Sequence, residues 1–433
     1  MIDAVARRLH RRRRAEGTAR PSFLFVTQYF PPERGAAQVR LGSVTRELAR
    51  RGHRVEVVTA IPNYPTGRLF PGWSRRPVQR RDEDGIPVVR VWLWAAVGSG
   101  PARLGNYLTF GAMSVLGLLR AHPADWTLVE YPTLFGALPA VLHAKALRRR
   151  VVVNVADLWV DASVAVGALS PGALVRALLS IERAMLRRAD AVNVVTEGVR
   201  DALVAKGVDP RRICWLPNGA DTTLFRPGPP DPVEVEALGL ADGEHLFLYA
   251  GTLGYVHGLE VVLDAAEHLV DDPVRFVLVG GGSERDRLVA EAASRRLRNV
   301  QFHEPVAPER VASMLRCATA GLASVRSGDL YRSIRSAKMF PVMASGRPVI
   351  YAGDDEGAAI VEGVGAGLCV PPGDGAALAA AVRSLIAHPA EAMAMGGRGR
   401  SHVEAEATWE SIVARWLDEL ALIDARTGPG RVR

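Results

Sequence analysis

Short apolar runs alternate along most of the chain with segments of helical periodicity. After the first run, Leu41, Val44 and Leu48 recur on one helical face, and the same alternation continues beyond residue 240. This pattern is typical of βαβ units built on a parallel sheet, so the sequence predicts an α/β protein. The predicted strands are Phe23–Thr27, Arg54–Thr59, Val88–Val91, Thr127–Val129, Val151–Val155, Ala191–Val195, His245–Tyr249, Phe276–Val279, Gly321–Ser324, Pro348–Ala352 and Leu368–Val370.

A proline-rich segment interrupts the alternation near the middle of the chain. The letters PGPPDP within Asp221–Pro232 cannot continue a helix or a central strand. At 433 residues, the chain also exceeds the size of one ordinary hydrophobic core. We therefore predict two doubly wound domains that face a common cleft, because such sheets bind ligands beyond the carboxyl ends of their strands. The predicted parts are a basic tail (1–20), an N-terminal domain (21–222), a linker (223–240), a C-terminal domain (241–404), and a final helix and tail (405–433) that cross back to the first domain.

Positive charge is concentrated at the N-terminus. The first 20 residues hold seven arginines against Asp3 and Glu16, which is +5 of the overall +8. Ile2, Val5 and Leu9 share one helical face beside the arginines, as in helices that lie on anionic membranes. A solvated, disordered tail is the other interpretation, and both remain open.

The cysteines give no sign of a metal or disulfide framework. Cys214, Cys317 and Cys369 are far apart and form no C-x-x-C motif. This usage fits a reducing cytoplasm.

The longest apolar segment is Tyr107–Leu119, bracketed by Arg103 and Arg120. It is shorter than the roughly 20 residues needed to cross a bilayer. The sequence leaves open a buried helix and an interfacial one.

Loops at the predicted carboxyl ends of strands carry candidate binding residues. Gly35 lies directly before a helix that opens with small residues, where backbone N–H groups can bind an anion; a simple tight turn is the alternative. Asn63 and Tyr64 belong to a rigid polar loop, IPNYPTG, after the second strand. No G-x-G-x-x-G follows the first strand, which lowers the case for a nicotinamide-dependent dehydrogenase.

Asp157 and Trp159 follow the apolar strand VVVNV. In that position a carboxylate and an indole can bind sugar hydroxyls and cover a sugar face. The alternative is that Asp157 caps the next helix.

Several longer motifs occur in a fixed order. They are PPERGAAQ, RGHRVEVVTAIPNYPTG, DLW, RADAVNVVTEGVRDAL, LPNGADTTLF, YAGTLGYVHGLE, FVLVGGGSE, SAKMF and ASGRPVI. Together they resemble the retaining family-four (group 1) GT-B glycosyltransferases, in the branch similar to N-acetyl-fucosamine transferases of bacterial surface polysaccharide synthesis. The resemblance runs from about Pro21 to about Pro372. It implies the GT-B fold, a nucleotide-sugar donor, no metal or other cofactor, and retention of anomeric configuration.

The resemblance also implies roles for individual residues. Lys338 of SAKMF would contact the donor diphosphate, and it is one of only three lysines in the chain, with Lys145 and Lys206. Asp157 would orient the acceptor hydroxyl or take its proton. The implied donor-binding residues are Gly35, Gly251, Thr252, Gly254, Gly281, Arg335, Lys338 and Glu356, with Arg326 nearby and Gly280–Gly282 and His303–Val306 around the base; the implied acceptor-binding residues are Asn63, Tyr64 and Trp159.

The chain departs from the family pattern at several positions. Many relatives have two glutamates where this sequence has Ser333 and Pro341, so ribose binding by a glutamate and a carboxylate nucleophile are both in doubt. Glu356 in GDDEGAA could compensate. A basic residue of the family is replaced by His257 and a histidine by Ala156. The paired acids Asp354 and Asp355 are interpreted as a solvated loop rather than a metal site.

The sequence therefore favours a glycosyltransferase that moves a sugar from a nucleotide-sugar to a lipid-linked or cell-surface glycan acceptor. The expected mechanism is front-side displacement, in which cations stabilise the leaving diphosphate. A sugar-nucleotide 2-epimerase and a catalytically silent GT-B subunit remain alternatives. We expect a cytoplasmic protein, with peripheral attachment to the inner face of the plasma membrane left open, and no nucleic-acid partner.

Overall fold

The computed structural model describes residues 20–33, 35–64, 66–96, 101–131, 134–165, 167, 169–170, 172–328 and 331–427. The basic segment 1–19 lies outside the described residues, and so does its predicted membrane-facing helix. The chain divides into two compact units. The first contains the residues up to Arg34 together with Leu41–Val155 and Gly172–Val192; the second contains Gly35–Arg40, Ala156–Pro171 and the chain from Asn193 onward.

The first sheet has eight strands in the order β3-β4-β2-β1-β5-β6-β7-β8. From β4 to β6 neighbouring strands run parallel, and β3 returns antiparallel beside β4. Its central strands are buried on both faces, as expected for a parallel sheet covered by helices. The strands are β1 Phe23–Val26, β2 Val55–Ala60, β3 Val78–Glu83, β4 Ile86–Val91, β5 Trp126–Glu130, β6 Arg150–Val155, β7 Ala191–Val194 and β8 Ile213–Trp215.

The second sheet has six parallel strands in the order β11-β10-β9-β12-β13-β14. Phe247 and Tyr249 of β9 point into one apolar cluster, whereas Leu246 and Leu248 point into another. Alternate side chains of a strand face opposite sides of the sheet, so this sheet has a core on each face. The strands are β9 His245–Ala250, β10 Val274–Val279, β11 Val300–His303, β12 Ala320–Ser324, β13 Val349–Ala352 and β14 Gly367–Val370.

Helices follow most strands and complete the doubly wound pattern. They are α1 Ala36–Arg50, α2 Pro101–Leu118, α3 Leu134–Ala146, α4 Trp159–Ala165, α5 Ala173–Arg188, α6 Glu197–Ala205, α7 Pro232–Leu238, α8 Glu260–His268, α9 Arg285–Ser294, α10 Pro308–Cys317, α11 Met339–Ala344, α12 Glu356–Val364, α13 Gly375–Ala387, α14 Pro389–His402 and α15 Trp409–Thr427. The prediction of an α/β protein with two doubly wound sheets is confirmed. In the described part of the chain, no helix combines the length and the apolar character that crossing a membrane requires.

The structure differs from the sequence-based expectation in several places. Strands β8 and β11 match no predicted strand. Asp355 is buried and accepts the Gly357 N–H at 2.6 Å as the cap of α12, so the interpretation of this acid as part of a solvated loop is wrong.

The predicted linker 223–240 contains helix α7, because Asp231 accepts the Val233 N–H at 3.1 Å and Pro232 occupies the first turn, the arrangement that favours a helix start. Strand β3 (VQRRDE) was not predicted, because it is an edge strand with exposed polar side chains.

The final helix α15 packs against β8. The Trp416 indole N–H donates to Asn193 Oδ1 at 2.8 Å, and Glu419 accepts the Trp215 N–H at 2.6 Å. The bounds predicted for the two domains and the crossover remain a prediction.

Candidate functional site

Two glycine-containing loops meet where β9 and β10 end. The Gly251 N–H donates to the last carbonyl of β10 at 2.9 Å, and the Leu253 N–H donates to Gly281 O at 2.9 Å. A Cβ atom at Gly280 would collide with the carbonyl oxygen of Gly251, and one at Gly282 would collide with that of Leu253. Only glycine allows this approach of backbone to backbone. We call the surface that the loops Gly251–Gly254 and Gly280–Gly282 form at the carboxyl ends of β9 and β10 the ledge.

Lys338 lies on this ledge. A Cβ atom at Gly251 would overlap the Lys338 Cε, so the lysine stem rests directly on the glycine. The Lys338 Nζ is 2.9 Å from the His257 Nε2 and 5.2 Å from the centroid of the Tyr249 ring. Burial lowers the pKa of Lys338 to about 7, and no described carboxylate contributes to that value.

His257 holds the lysine in place as a neutral acceptor. Burial, and then the charge of Lys338, lower the pKa of His257 to about 3. Its Nδ1 lies 3.2 Å from the Ser324 carbonyl oxygen, so we assign the proton to Nδ1 and leave Nε2 to accept from Lys338. A buried cation without a carboxylate partner is costly unless an anion joins it, and the ledge is therefore suited to binding an anion.

The other predicted donor residues of this region lie around the same ledge. Thr252 is exposed, and its carbonyl accepts the Tyr249 hydroxyl at 2.7 Å. A Cβ atom added at Gly254 would lie 3.5 Å from the Thr252 methyl group, and one added at Gly281 would lie 3.5 Å from Pro305. The structure thus brings Gly251, Thr252, Gly254, Gly281 and Lys338 together.

Arg335 and Glu356 form a separate, largely internal pair. Arg335 Nη1 is 3.1 Å from Glu356 Oε1, and its Nη2 donates to Val195 O at 2.6 Å. The other Glu356 oxygen accepts the Glu197 N–H at 2.8 Å, at the first residue of α6. Burial lowers the pKa of Arg335. Both carboxylate oxygens of Glu356 have donors within the protein, so this geometry is that of a link to α6 rather than of a free ribose ligand.

Arg326 is likewise engaged with protein groups. Its Nη2 is 2.5 Å from Glu260 Oε1, and its guanidinium lies 4.2 Å above the Tyr255 ring. Its charge is matched by a carboxylate, unlike the charge of Lys338.

Asp157 follows β6, and the residue as a whole is exposed, whereas protein atoms crowd its carboxyl group. Burial by the surrounding protein raises its pKa, and the positive charge of Arg40 opposes that rise. Among the described residues, no group donates a hydrogen bond to this carboxylate, so it does not have the geometry of a helix cap. Trp159 is half-buried at the first position of α4, and Gly35 directly precedes α1, as the sequence predicted.

The loop that contains Asn63 and Tyr64 is held by a residue that sequence reasoning missed. Glu33 Oε1 accepts the backbone N–H groups of Asn63 and Tyr64 at 2.7 and 2.8 Å. Burial raises the pKa of Glu33, although these N–H groups oppose it. The Asn63 side chain is fully buried and donates to Ile61 O at 3.0 Å, so it supports its own loop, whereas Tyr64 is half-buried. The only sign of this role in the sequence is that Glu33 is the carboxylate of the PPERGAAQ loop.

The part of the chain that the structure describes contains no group of three or more His, Cys, Asp or Glu side chains able to hold a metal ion.

Two family models match the chain on either side of the proline-rich segment. The Glycosyl transferase 4-like domain matches residues 35–219, and Glycosyl transferases group 1 matches residues 244–388. Together they span well over half of the sequence. The chain belongs to the group 1 glycosyltransferases.

Relatives and solved structures agree with this assignment. The glycosyltransferase is 27% identical over 376 residues to WcaI of Escherichia coli (strain K12), a glycosyl transferase assigned to colanic acid biosynthesis, and the match covers 83% of this chain and 91% of the relative. Its fold matches sucrose-phosphate synthase from Thermosynechococcus elongatus with a TM-score of 0.70 at 20% identity, covering 94% of this chain and 100% of the other. It also matches Anabaena HepE in complex with UDP-glucose, with a TM-score of 0.69 at 16% identity, covering 93% and 100%. The fold of the enzyme is GT-B.

The two positions where many relatives have glutamates contain no carboxylate in this glycosyltransferase. Ser333 packs against Gly198, where an added Cβ would lie 2.6 Å from the Ser333 Cβ. The Ser333 carbonyl accepts the Thr196 hydroxyl at 2.8 Å. Pro341 is part of the short helix α11. A positive charge, that of Lys338, is therefore the main chemical feature of the ledge.

Proposed function

We propose that this glycosyltransferase moves a sugar from a nucleotide-sugar donor to a lipid-linked acceptor of surface polysaccharide synthesis, with retention of anomeric configuration. The observation that carries the proposal is the cation Lys338, half-buried on the ledge against Gly251, because a diphosphate supplies the anion that no described carboxylate provides. The UDP and UDP-glucose complexes of HepE support a nucleotide-sugar as the donor. The colanic acid role in the name of WcaI supports a polysaccharide pathway.

The proposed chemistry is a displacement on one face of the sugar. The acceptor hydroxyl attacks the anomeric carbon while the bond to the diphosphate oxygen breaks on the same face. Lys338 stabilises the negative charge that grows on the leaving diphosphate, and neutral His257 keeps the ammonium group directed at it. Asp157 takes the proton of the acceptor hydroxyl, for which its raised pKa is suited. No protein nucleophile and no metal ion take part in this scheme.

The proposed place of action is the cytoplasmic face of the membrane, where a lipid-linked acceptor is exposed to water at its sugar end. The basic segment 1–20 supports this location through its charge, seven arginines against two acids.

A transfer assay tests the proposal. The full-length enzyme is incubated with a panel of nucleotide-sugars, with and without a bacterial membrane lipid extract, and products are followed by mass spectrometry and by NMR of the new anomeric centre. We expect release of nucleoside diphosphate and a glycosylated lipid of unchanged anomeric configuration, and we expect Lys338→Ala to abolish both. An inverted product would overturn retention. Free nucleotide formed without lipid, together with an epimerised sugar, would favour an isomerase instead, and inactivity with every donor would favour a silent subunit.

A further inference from the structure

Helix α2 presents a continuous apolar face to solvent. Within its described side chains, every exposed position is apolar, and the exposed stripe continues one residue beyond the helix to Leu119, which is 69% exposed. The spacing is that of one helical face. The exposed residues are Ala102, Leu104, Leu108, Ala112, Val115, Leu116 and Leu119.

The opposite face of α2 is closely packed. Gly117 lies against Val58 and Val91, where an added Cβ would come within 2.7 and 2.9 Å of their methyl groups. Gly111 lies against the backbone of Phe135 in α3. The helix is thus fixed to its own unit by one side, and its exposed side is not needed for the fold.

A cation lies at the start of this helix. The Arg103 guanidinium is 4.6 Å from the Tyr107 ring centroid and 5.9 Å from that of Tyr29. Arg103 donates to the Tyr107 hydroxyl at 3.1 Å, to Ala96 O at 3.1 Å and to the Tyr29 hydroxyl at 2.6 Å. Of the five N–H groups of an arginine, two therefore have no acceptor among the described residues. No carboxylate in the described part of the chain forms an ion pair with it.

Tyr29 adds a further donor beside these N–H groups. Its oxygen accepts from Arg103, and burial raises its pKa, so the hydroxyl keeps its proton. Gln28 Nε2 approaches the same oxygen at 3.4 Å. Arg103 and Tyr29 thus combine a positive charge that no described carboxylate pairs with donors that have no acceptor among the described residues, which are the requirements for binding a phosphate.

We propose that Tyr29 and Arg103 bind the phosphate of the lipid-linked acceptor while the exposed face of α2 lies in the apolar surface of the membrane. The proposal rests on the lipid-linked acceptor of the proposed function. Charge favours this occupant over a second protein, because Arg103 stands at one end of the apolar face and the exposed Arg120 at the other, as in helices that lie at a membrane interface. An amphiphile with a phosphate head and an apolar chain matches both parts of the surface at once.

The first test asks whether membrane binding depends on the exposed face of α2 or on exposed apolar residues anywhere on the protein. Full-length enzyme is floated with phosphatidylcholine vesicles at high salt, where the attraction of the arginine-rich segment 1–20 is screened. We expect Leu116→Glu to reduce the bound fraction at least about tenfold, because a charge on that face resists entry into the apolar region. Leu422→Glu is the matched control, since Leu422 is an exposed helical leucine of α15 (57% exposed, against 43% for Leu116). Equal flotation of the two variants would overturn the membrane face.

The second test addresses the phosphate. The same vesicles carry either farnesyl diphosphate or farnesol, and we expect the diphosphate to bind wild type about tenfold more tightly, the range of one charge-assisted contact. Arg103→Gln should remove that preference and leave binding to farnesol vesicles unchanged. Lys145→Ala, at a lysine paired with Asp190 at 2.6 Å, should keep the preference. A preference that survives in Arg103→Gln would overturn the proposal, and so would equal enhancement by phosphatidylglycerol, which would assign the site to a phospholipid headgroup. These measurements need no turnover, so the failure of this inference and the failure of the transfer assay are distinguishable.

Discussion

Two of the cations that lie over tyrosine rings in the glycosyltransferase, Lys338 in one compact unit and Arg103 in the other, differ in how they can lose their charge. Lys338 lies 5.2 Å from the Tyr249 ring centroid, and burial lowers its pKa to about 7. Arg103 lies 4.6 Å from the Tyr107 centroid, and an arginine keeps its charge at every physiological pH. Beside a tyrosine ring and partly buried, the lysine therefore titrates near neutral pH, whereas the arginine stays charged.

The two cations also differ in how their direction is fixed. Lys338 is a point charge on a flexible stem that rests on Gly251 and is held by His257. Arg103 is a planar fork held by three hydrogen bonds. A point charge can follow a diphosphate as it leaves, whereas a fixed fork selects one position for a ligand.

The largest effect is expected at a residue that belongs to neither cluster. If the cations bind phosphates and Asp157 transfers the proton, Asp157→Asn should lower kcat by about 10²- to 10⁴-fold, the usual range for a general base. Donor affinity measured by calorimetry should stay within about twofold of wild type, since Asp157 accepts no hydrogen bond from the described residues and removing its charge frees no buried donor. Equal losses in turnover and affinity would break the division between binding and proton transfer.

The next effect concerns the titrating cation itself. Lys338→Ala should weaken binding of the nucleoside diphosphate by roughly 10- to 150-fold, because a hydrogen bond to a charged group contributes about 1.5–3 kcal/mol. Lys145→Ala is the matched control, since that lysine is paired with Asp190 at 2.6 Å. Unchanged affinity in Lys338→Ala, measured by calorimetry on folded protein, would remove the assignment of the diphosphate to the ledge.

The pH dependence sharpens the comparison further. Below its pKa of about 7, Lys338 is charged, and above that value the free enzyme loses the proton. The dissociation constant of the donor should therefore rise about tenfold between pH 6 and pH 8, whereas Arg103 keeps its charge over the same range. His257 stays neutral across this range, since its pKa lies near 3. A flat profile in wild type, or a slope that persists in Lys338→Ala, would contradict the assignment.

The smallest effect is expected from metal removal. Because Lys338 and the Arg103 cluster supply the positive charge, a chelator should leave the transfer rate within experimental error of the untreated enzyme. Loss of activity in chelator that is restored by magnesium or manganese would show that the side chains alone do not neutralise the diphosphate.

Much of the fold was readable from local pattern. Strands such as Val151–Val155 are buried on both faces and form nearly continuous apolar runs. Lys338 stands out in the sequence because the chain contains only three lysines. The edge strand Val78–Glu83 could not be predicted from the sequence. Its side chains are mostly polar and none is fully buried, so no apolar run marks the strand. The candidate site depends on pairs far apart in sequence, such as Lys338 with His257, 81 positions away. Patterns within a short stretch of sequence cannot predict a contact between residues so far apart.

The contact between Ser333 and Gly198 ties the start of α6 to a segment far away in sequence. Any side chain at position 198 would begin with a Cβ atom 2.6 Å from the Ser333 Cβ, which is well inside van der Waals contact. The Thr196 hydroxyl, which accepts the Val199 N–H as the cap of α6, donates to the Ser333 carbonyl at 2.8 Å beside this contact. Position 198 is therefore restricted to glycine as long as the backbone around residue 333 keeps its place.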